Sequence, residues 1–334
     1  MARRTVVVTG ANGYIGNAVA RAFSRAGWKT FGLIRRAEDA HDLARNEILP
    51  IIGSPADVKF LENADEMIFD VVVSNTEDQG DFAGHLQMVL TMLRSIASQS
   101  KQAGIRPLIL FTSGCKDYGM TAEHGDVNLA PHTEQSPLNP PDYLVSRAQG
   151  GLTLLNQTDD LYDIIVLRPT TVYGYGSSYY GLFFGFASRS HSSCLLIPGS
   201  PTSIMHGTHV DDCAEAYVAL AEHPKREEVI NQAFNISNER YETAEEICEA
   251  LGRSYGLQVE FMTPDKRPFL SVQTLVTFSQ WVSSAKLRAL TGWTDRRPAF
   301  AAGMDQYRLA FEAALKAKDR GTVNIFEKLL PENS

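Results

Sequence analysis

Val6-Val7-Val8-Thr9-Gly10-Ala11-Asn12-Gly13-Tyr14-Ile15-Gly16 is the stretch on which the reading of this chain turns. Three successive β-branched residues make a short strand buried on both faces, as in a parallel sheet. The glycines that follow permit a tight turn with φ > 0 and a close approach of backbone to a ligand, and helical spacing follows immediately. Strand, glycine turn and helix in this order leave the N–H groups of a helix N-terminus pointing at an anion, the arrangement that binds the pyrophosphate of a dinucleotide. Gly10, Asn12, Gly13, Tyr14, Ile15 and Gly16 are therefore candidate cofactor-binding residues.

Moving outward, Thr5 to Thr9, Thr30 to Ile34, Phe69 to Ser74, Leu108 to Thr112 and Ile164 to Leu167 read as buried strands, and Asn17 to Ala26, Met88 to Ala103 and Tyr143 to Asn156 read as helices. The βαβα order predicts an α/β fold, a Rossmann-like doubly wound parallel sheet with right-handed crossovers. Pro131 to Asp142, with four prolines, reads as a surface loop. At the end of the second strand, where a carboxylate would receive the ribose 2′-OH of NAD, the chain has Arg35-Arg36. Guanidinium pairs suit a phosphate, so NADP(H) is favoured and NAD(H) remains possible.

Past Pro169 the alternation weakens, and the Gly-, Ser- and aromatic-rich run from Tyr173 to Phe186 suggests excursions into a second lobe. The expected layout is a dinucleotide-binding domain over 1–173, with 208–236 returning to it. A smaller C-terminal α/β substrate lobe takes 174–207 and 237–334. Tyr173, Tyr179, Tyr180 and Phe183 are candidate substrate contacts, suited to a flat or apolar small molecule, and core aromatics are the equal alternative. The tail from Gly321 to Ser334 reads as peripheral.

Composition narrows the classes. Apolar residues are 44% and charged residues 21%, with a formal charge of −8. The first two values are those of a globular protein, and the third argues against nucleic acid as a partner. Cys115, Cys194, Cys213 and Cys248 show no CxxC or Cys/His spacing, so neither a disulfide framework nor a zinc site is expected. The start lacks a long apolar run and no later segment suits a membrane span, which places the expected protein in the cytoplasm.

Further residues carry a family resemblance over nearly the whole chain. They are Thr112-Ser113-Gly114 after a strand, Tyr143-Leu144-Val145-Ser146-Arg147, Leu167-Arg168-Pro169-Thr170-Thr171-Val172-Tyr173-Gly174 and His209-Val210-Asp211-Asp212, together with the opening glycine turn. Phe234-Asn235-Ile236-Ser237, Thr243-Ala244-Glu245-Glu246-Ile247 and Leu290-Thr291-Gly292-Trp293 match C-terminal lobe elements. The chain resembles the extended short-chain dehydrogenase/reductases, the NAD-dependent epimerase/dehydratase family. The resemblance implies that Tyr143 is the general acid or base, that Ser113 hydrogen-bonds the same oxygen with Thr112 as a substitute, and that Arg147 stands where the family has lysine. A phenol ionises near pH ~10, so a cation one helical turn away brings it toward neutral pH. Arg147 holds its charge but cannot pass a proton onward. Val73-Ser74-Asn75-Thr76 replaces a more apolar family stretch, so Ser74 and Asn75 are expected beside the cofactor, and Arg168 and Pro169 near the nicotinamide. Arg168 has an ion-pair role as its alternative. His206 and the His209 to Asp212 run read as local structure linking the lobes rather than as metal ligands.

The expected function is an NADP(H)-dependent oxidoreductase interconverting a carbonyl and a secondary alcohol on a small, fairly apolar molecule. The alternatives are a redox-neutral isomerase or nucleotide-sugar epimerase using the same tyrosine, and a non-catalytic NADP(H)-sensing regulator. A small-molecule substrate is the expected partner, with neither nucleic acid nor membrane, and the resemblance makes a homodimer possible.

Overall fold

A computed structural model of the chain describes residues 4–62, 67–78, 80–156, 159–176, 178–265 and 271–328. Ser177 of the aromatic run, Met1 to Arg3 and the last residues of the tail, 329–334, lie outside them. The strands are β1 (Thr5–Thr9), β2 (Lys29–Ile34), β3 (Leu49–Ile52), β4 (Val71–Ser74), β5 (Leu108–Thr112), β6 (Asp163–Pro169), β7 (Thr171–Tyr173), β8 (Cys194–Pro198), β9 (Ile204–Met205), β10 (Gly207–His209), β11 (Gln232–Ile236), β12 (Glu242–Thr243) and β13 (Gln258–Met262). The helices are α1 (Tyr14–Arg25), α2 (Ala40–Ala44), α3 (Phe82–Gln102), α4 (Val145–Asn156), α5 (Gly181–Ser188), α6 (Val210–Ala221), α7 (Ala244–Tyr255), α8 (Val272–Val276), α9 (Ala285–Thr291), α10 (Met304–Lys316) and α11 (Arg320–Lys328).

Seven parallel strands form the main sheet in the order β11-β6-β5-β4-β1-β2-β3. Period-2 side-chain alternation divides β1 between two cores: Val6 and Val8 pack with residues of α1 and α6, whereas Val7 packs with residues of α3. Helices on both faces bury the central strands β1, β4 and β5, which is why these are almost wholly apolar. The strand order reverses at β1, between β4 and β2, and a doubly wound sheet opens a crevice there at the carboxyl ends of its strands.

A second core assembles α5, α7, α10 and β8 around Phe183, Phe184, Phe300, Tyr307 and Phe311. Tyr173 and Tyr180, fully buried, belong to it. Helix α7 begins with a Thr243/Glu246 capping box and ends on Gly256 in the left-handed region at φ +68°. Among the described residues no helix is long and apolar enough to cross a membrane.

One strand was not expected, and one expectation needs correction. Leu49–Ile52 forms an edge strand that its pattern concealed, because Leu49 and Ile52 are exposed and only Ile51 enters the core. The tail is not peripheral where it is described: Phe326 packs on Phe311 and against Gly185, and Ile325 reaches the same cavity as the glycine turn.

Candidate active site

The crevice at β1 opens into a cavity of about 430 Å³ running from the glycine turn to α8. Gly10 makes the turn at φ +62°, and its own Cα faces the Asn75 carbonyl so closely that an added Cβ would lie 3.2 Å from it. Gly13 donates its N–H to the Gly10 carbonyl at 2.8 Å. At Gly16 a Cβ would sit 2.2 Å from the Gly10 oxygen, so only glycine lets α1 approach the turn. No side chain caps the N-terminus of α1. Its first N–H groups therefore suit the phosphates of a dinucleotide, and Gly13, Tyr14, Ile15 and Gly16 line the cavity. The Tyr14 hydroxyl donates to the Gly174 carbonyl at 2.6 Å.

Beyond β4, Ser74 is buried and Asn75 lines the cavity. Ser74 Oγ and Asn75 Nδ2 are buried with no hydrogen-bond partner among the described residues, a deficit that a bound group would relieve. At the end of β2, Arg35 is exposed, whereas Arg36 grips Asp39 through Nε and Nη2 at 2.9 and 2.5 Å. Asn12 donates to the same Asp39 oxygen at 2.6 Å, and Arg320 of α11 stands 3.9 Å from the other.

The reacting end gathers Thr112, Ser113, Gly114, Tyr143 and Arg147 on the cavity wall. Thr112 is committed elsewhere: its hydroxyl donates to Asn75 Oδ1 and accepts from Tyr217 at 2.8 Å. Ser113 donates to Asp117 Oδ2 at 2.5 Å, and Arg147 clasps Asp117 Oδ1 through Nε at 3.0 Å and Nη2 at 2.8 Å. Asp117 is fully buried and was missed by the sequence reading, though a carboxylate four residues after Ser113 was a visible counter-charge. Glu77 approaches Arg147 Nη1 at 3.9 Å. A Cβ on Gly114 would fall 3.1 Å from Arg147 Nη2, so the glycine makes room for the guanidinium. Tyr143, in the helical turn just before α4, is half exposed. Burial raises its phenol above the ordinary value, against the pull of Arg147 and with the push of Tyr179.

Not every candidate reaches this cavity. Pro169 and Tyr179 line it, but Arg168 is buried and donates to the Tyr118 hydroxyl at 2.8 Å. Tyr173, Tyr180 and Phe183 lie in the second core instead. Leu182, Ser271, Thr274, Leu275 and Ile325, none of them singled out from the sequence, complete the wall. His209 caps α6 by accepting the Asp211 N–H at 3.1 Å. Asp212 takes the Arg296 and Arg297 N–H groups at 3.1 and 2.9 Å and the Arg297 guanidinium at 2.6 Å, tying α6 to the segment before α10. Among the described residues no group of three or more His, Cys, Asp or Glu could hold a metal ion.

The model of the NAD dependent epimerase/dehydratase family matches residues 6–237, from the first strand through the last strand of the main sheet. The chain belongs to that family. No curated protein matches it by sequence. Among solved structures it is similar to a dTDP-glucose 4,6-dehydratase from Bacillus anthracis in complex with NAD, with a TM-score of 0.73 and 17% identity over 96% of this chain and 99% of that one. It is also similar to a UDP-glucose 4-epimerase from Thermotoga maritima with UDP-glucose, with a TM-score of 0.69 and 18% identity over 93% and 99%. RMD from Pseudomonas aeruginosa complexed with NADPH gives a TM-score of 0.67 and 18% identity over 93% and 99%. At these identities the shared property is the fold, a Rossmann-like α/β architecture.

Proposed function

We propose that this epimerase/dehydratase family member is an NADP(H)-dependent oxidoreductase that interconverts a carbonyl and a secondary alcohol on a small, fairly apolar molecule. The supporting observation is that Tyr143 and Arg147 share one cavity with the uncapped glycine turn. The coenzyme, when bound, supplies the hydride. In this reading the α1 N-terminus holds its pyrophosphate, Arg35 and Arg36 face the 2′-phosphate, Ser74, Asn75 and Pro169 flank it, and Arg147 orients the ribose. Residues 1–173 and 208–236 form the coenzyme side, and 174–207 with 237–334 the substrate side.

Burial holds the Tyr143 phenol protonated at neutral pH, the form that donates to a developing alkoxide when a carbonyl is reduced; the phenolate is the form that takes the proton back when the alcohol is oxidised. The Ser113 hydroxyl donates its hydrogen bond to Asp117 and has only lone pairs left for the site, so in this geometry it can accept a hydrogen bond from the alcohol form but does not donate one to the carbonyl oxygen, as the resemblance had implied. Leu144, Leu182, Leu275 and Ile325 supply apolar wall for the substrate body.

The test is calorimetric binding of NADPH and NADH followed by turnover on a carbonyl panel. NADPH is expected to bind more tightly, and Tyr143→Phe to lose roughly 10²- to 10⁴-fold in kcat. Equal rates in the two proteins would remove the acid role of Tyr143. Product formed without net NADPH oxidation would select a redox-neutral isomerase instead, and coenzyme binding without turnover a sensor.

A further inference from the structure

Lys116 lies on the helical turn after β5 and lines the cavity two residues beyond Gly114. Its ammonium sits 4.7 Å from the centroid of the Phe278 ring. Phe278 closely follows α8, and Ser271, Thr274 and Leu275 around that helix also line the cavity. Lys116 thus belongs to the wall completed by the second core, whereas the coenzyme phosphates belong to the glycine turn.

Its charge has no counter-ion among the described residues. Among the described residues the Lys116 ammonium makes no hydrogen bond or ion pair. Its chain neighbour Asp117 receives Ser113 and both arms of Arg147, and Glu77 of the cavity wall stands 3.9 Å from Arg147. Burial and the adjacent Arg147 bring the Lys116 pKa down to about 8, so at neutral pH it still carries a charge that its surroundings disfavour. A cation partly withdrawn from water, resting on an aromatic face and lacking an anion, is relieved by a ligand that brings one.

We propose that Lys116 anchors the substrate by binding a carboxylate that the substrate carries apart from its reacting carbonyl. One ammonium, with Arg147 already engaged, matches a single carboxylate better than a diphosphate. That the ligand is a substrate rests on the reductase reading above; the anion site itself does not.

The experiment separates the two. Benzoate, benzamide and phenyl phosphate are titrated into the protein by calorimetry, with and without saturating NADP⁺. The wild type is expected to bind benzoate at least ~10-fold more tightly than benzamide. Lys116→Met is expected to abolish that difference and Lys116→Arg to keep it, with coenzyme affinity as the control that the cavity is intact. No measurable benzoate binding, or the same benzoate preference in Lys116→Met, overturns the site. Phenyl phosphate binding more tightly than benzoate overturns the carboxylate assignment. Failure of the reductase reading has a different signature, since no carbonyl is then reduced while the benzoate preference and its dependence on Lys116 persist.

Discussion

Ser113 gives its hydroxyl proton to Asp117 and Arg147 spends two donors on the same carboxylate, so one buried aspartate governs both side chains beside Tyr143. Removing it leaves a largely buried guanidinium with only Glu77, 3.9 Å away, as counter-charge. Asp117→Ala is expected to lose about 3 kcal/mol of stability, measured as a lower urea midpoint with an unchanged m-value. Gly114→Ala acts in the opposite direction, from the space side: its methyl meets Arg147 and must push the guanidinium by a few tenths of an ångström. The expected result is a several-fold fall in kcat/KM with a melting temperature shifted by only a few degrees, roughly the effect of ~1 kcal/mol at most in each case. At this scale the sequence showed that a cation follows Tyr143 by one helical turn. It could not show that this cation and Ser113 are held by one carboxylate, because Asp117, which joins them, is brought there by the turn after β5.

Among the elements, β1 and α1 were legible because burial on both faces, the glycine turn and helical spacing all point to one arrangement. Edge strand β3 was not, since Pro50 and two exposed apolar residues mask its alternation. The short β9 and β10 were likewise hidden, yet they fix His206 between them. Its Nε2 donates to the Asn238 carbonyl at 2.9 Å and its Nδ1 accepts the Val282 N–H at 3.2 Å. Burial lowers its pKa from 6.5 to about 4, with Asp295 opposing and Arg288 reinforcing that shift. Between those values the unfolded chain binds the proton that the folded one refuses, so the contribution to stability is present above pH 6.5 and is lost as pH falls toward 4. The loss is about 3 kcal/mol. Urea titrations across this range should show it, and His206→Gln, which keeps a donor and an acceptor without titrating, should flatten that part of the profile.

For the whole molecule, the cavity is a product of two cores, the sheet supplying the glycine turn and Tyr143, and the second core supplying Leu182, Leu275 and Ile325. Composition and strand order foretold a doubly wound sheet with an appended lobe. They did not foretell which aromatic residues face the cavity, because Tyr173, Tyr180 and Phe183 share their local pattern with Tyr179 and differ only in tertiary packing. Helix α11 is the clearest long-range effect, since it brings Ile325 to the cavity from the far end of the described chain. Ile325→Trp should fill part of that space and weaken binding of a carbonyl substrate roughly tenfold, read as a higher KM with nearly unchanged thermal stability.

The clasp of Arg147 over Gly114 onto Asp117 also limits the order in which these positions can be exchanged. A mutational path that trades Asp117 first passes through a form with a stranded guanidinium, and one that adds a side chain at 114 first collides with it. Replacing Arg147 by lysine first removes the collision at 114 while keeping a cation opposite Asp117, so a laboratory lineage restoring a tyrosine–lysine dyad should change Arg147 before it fills position 114 and should leave Asp117 in place.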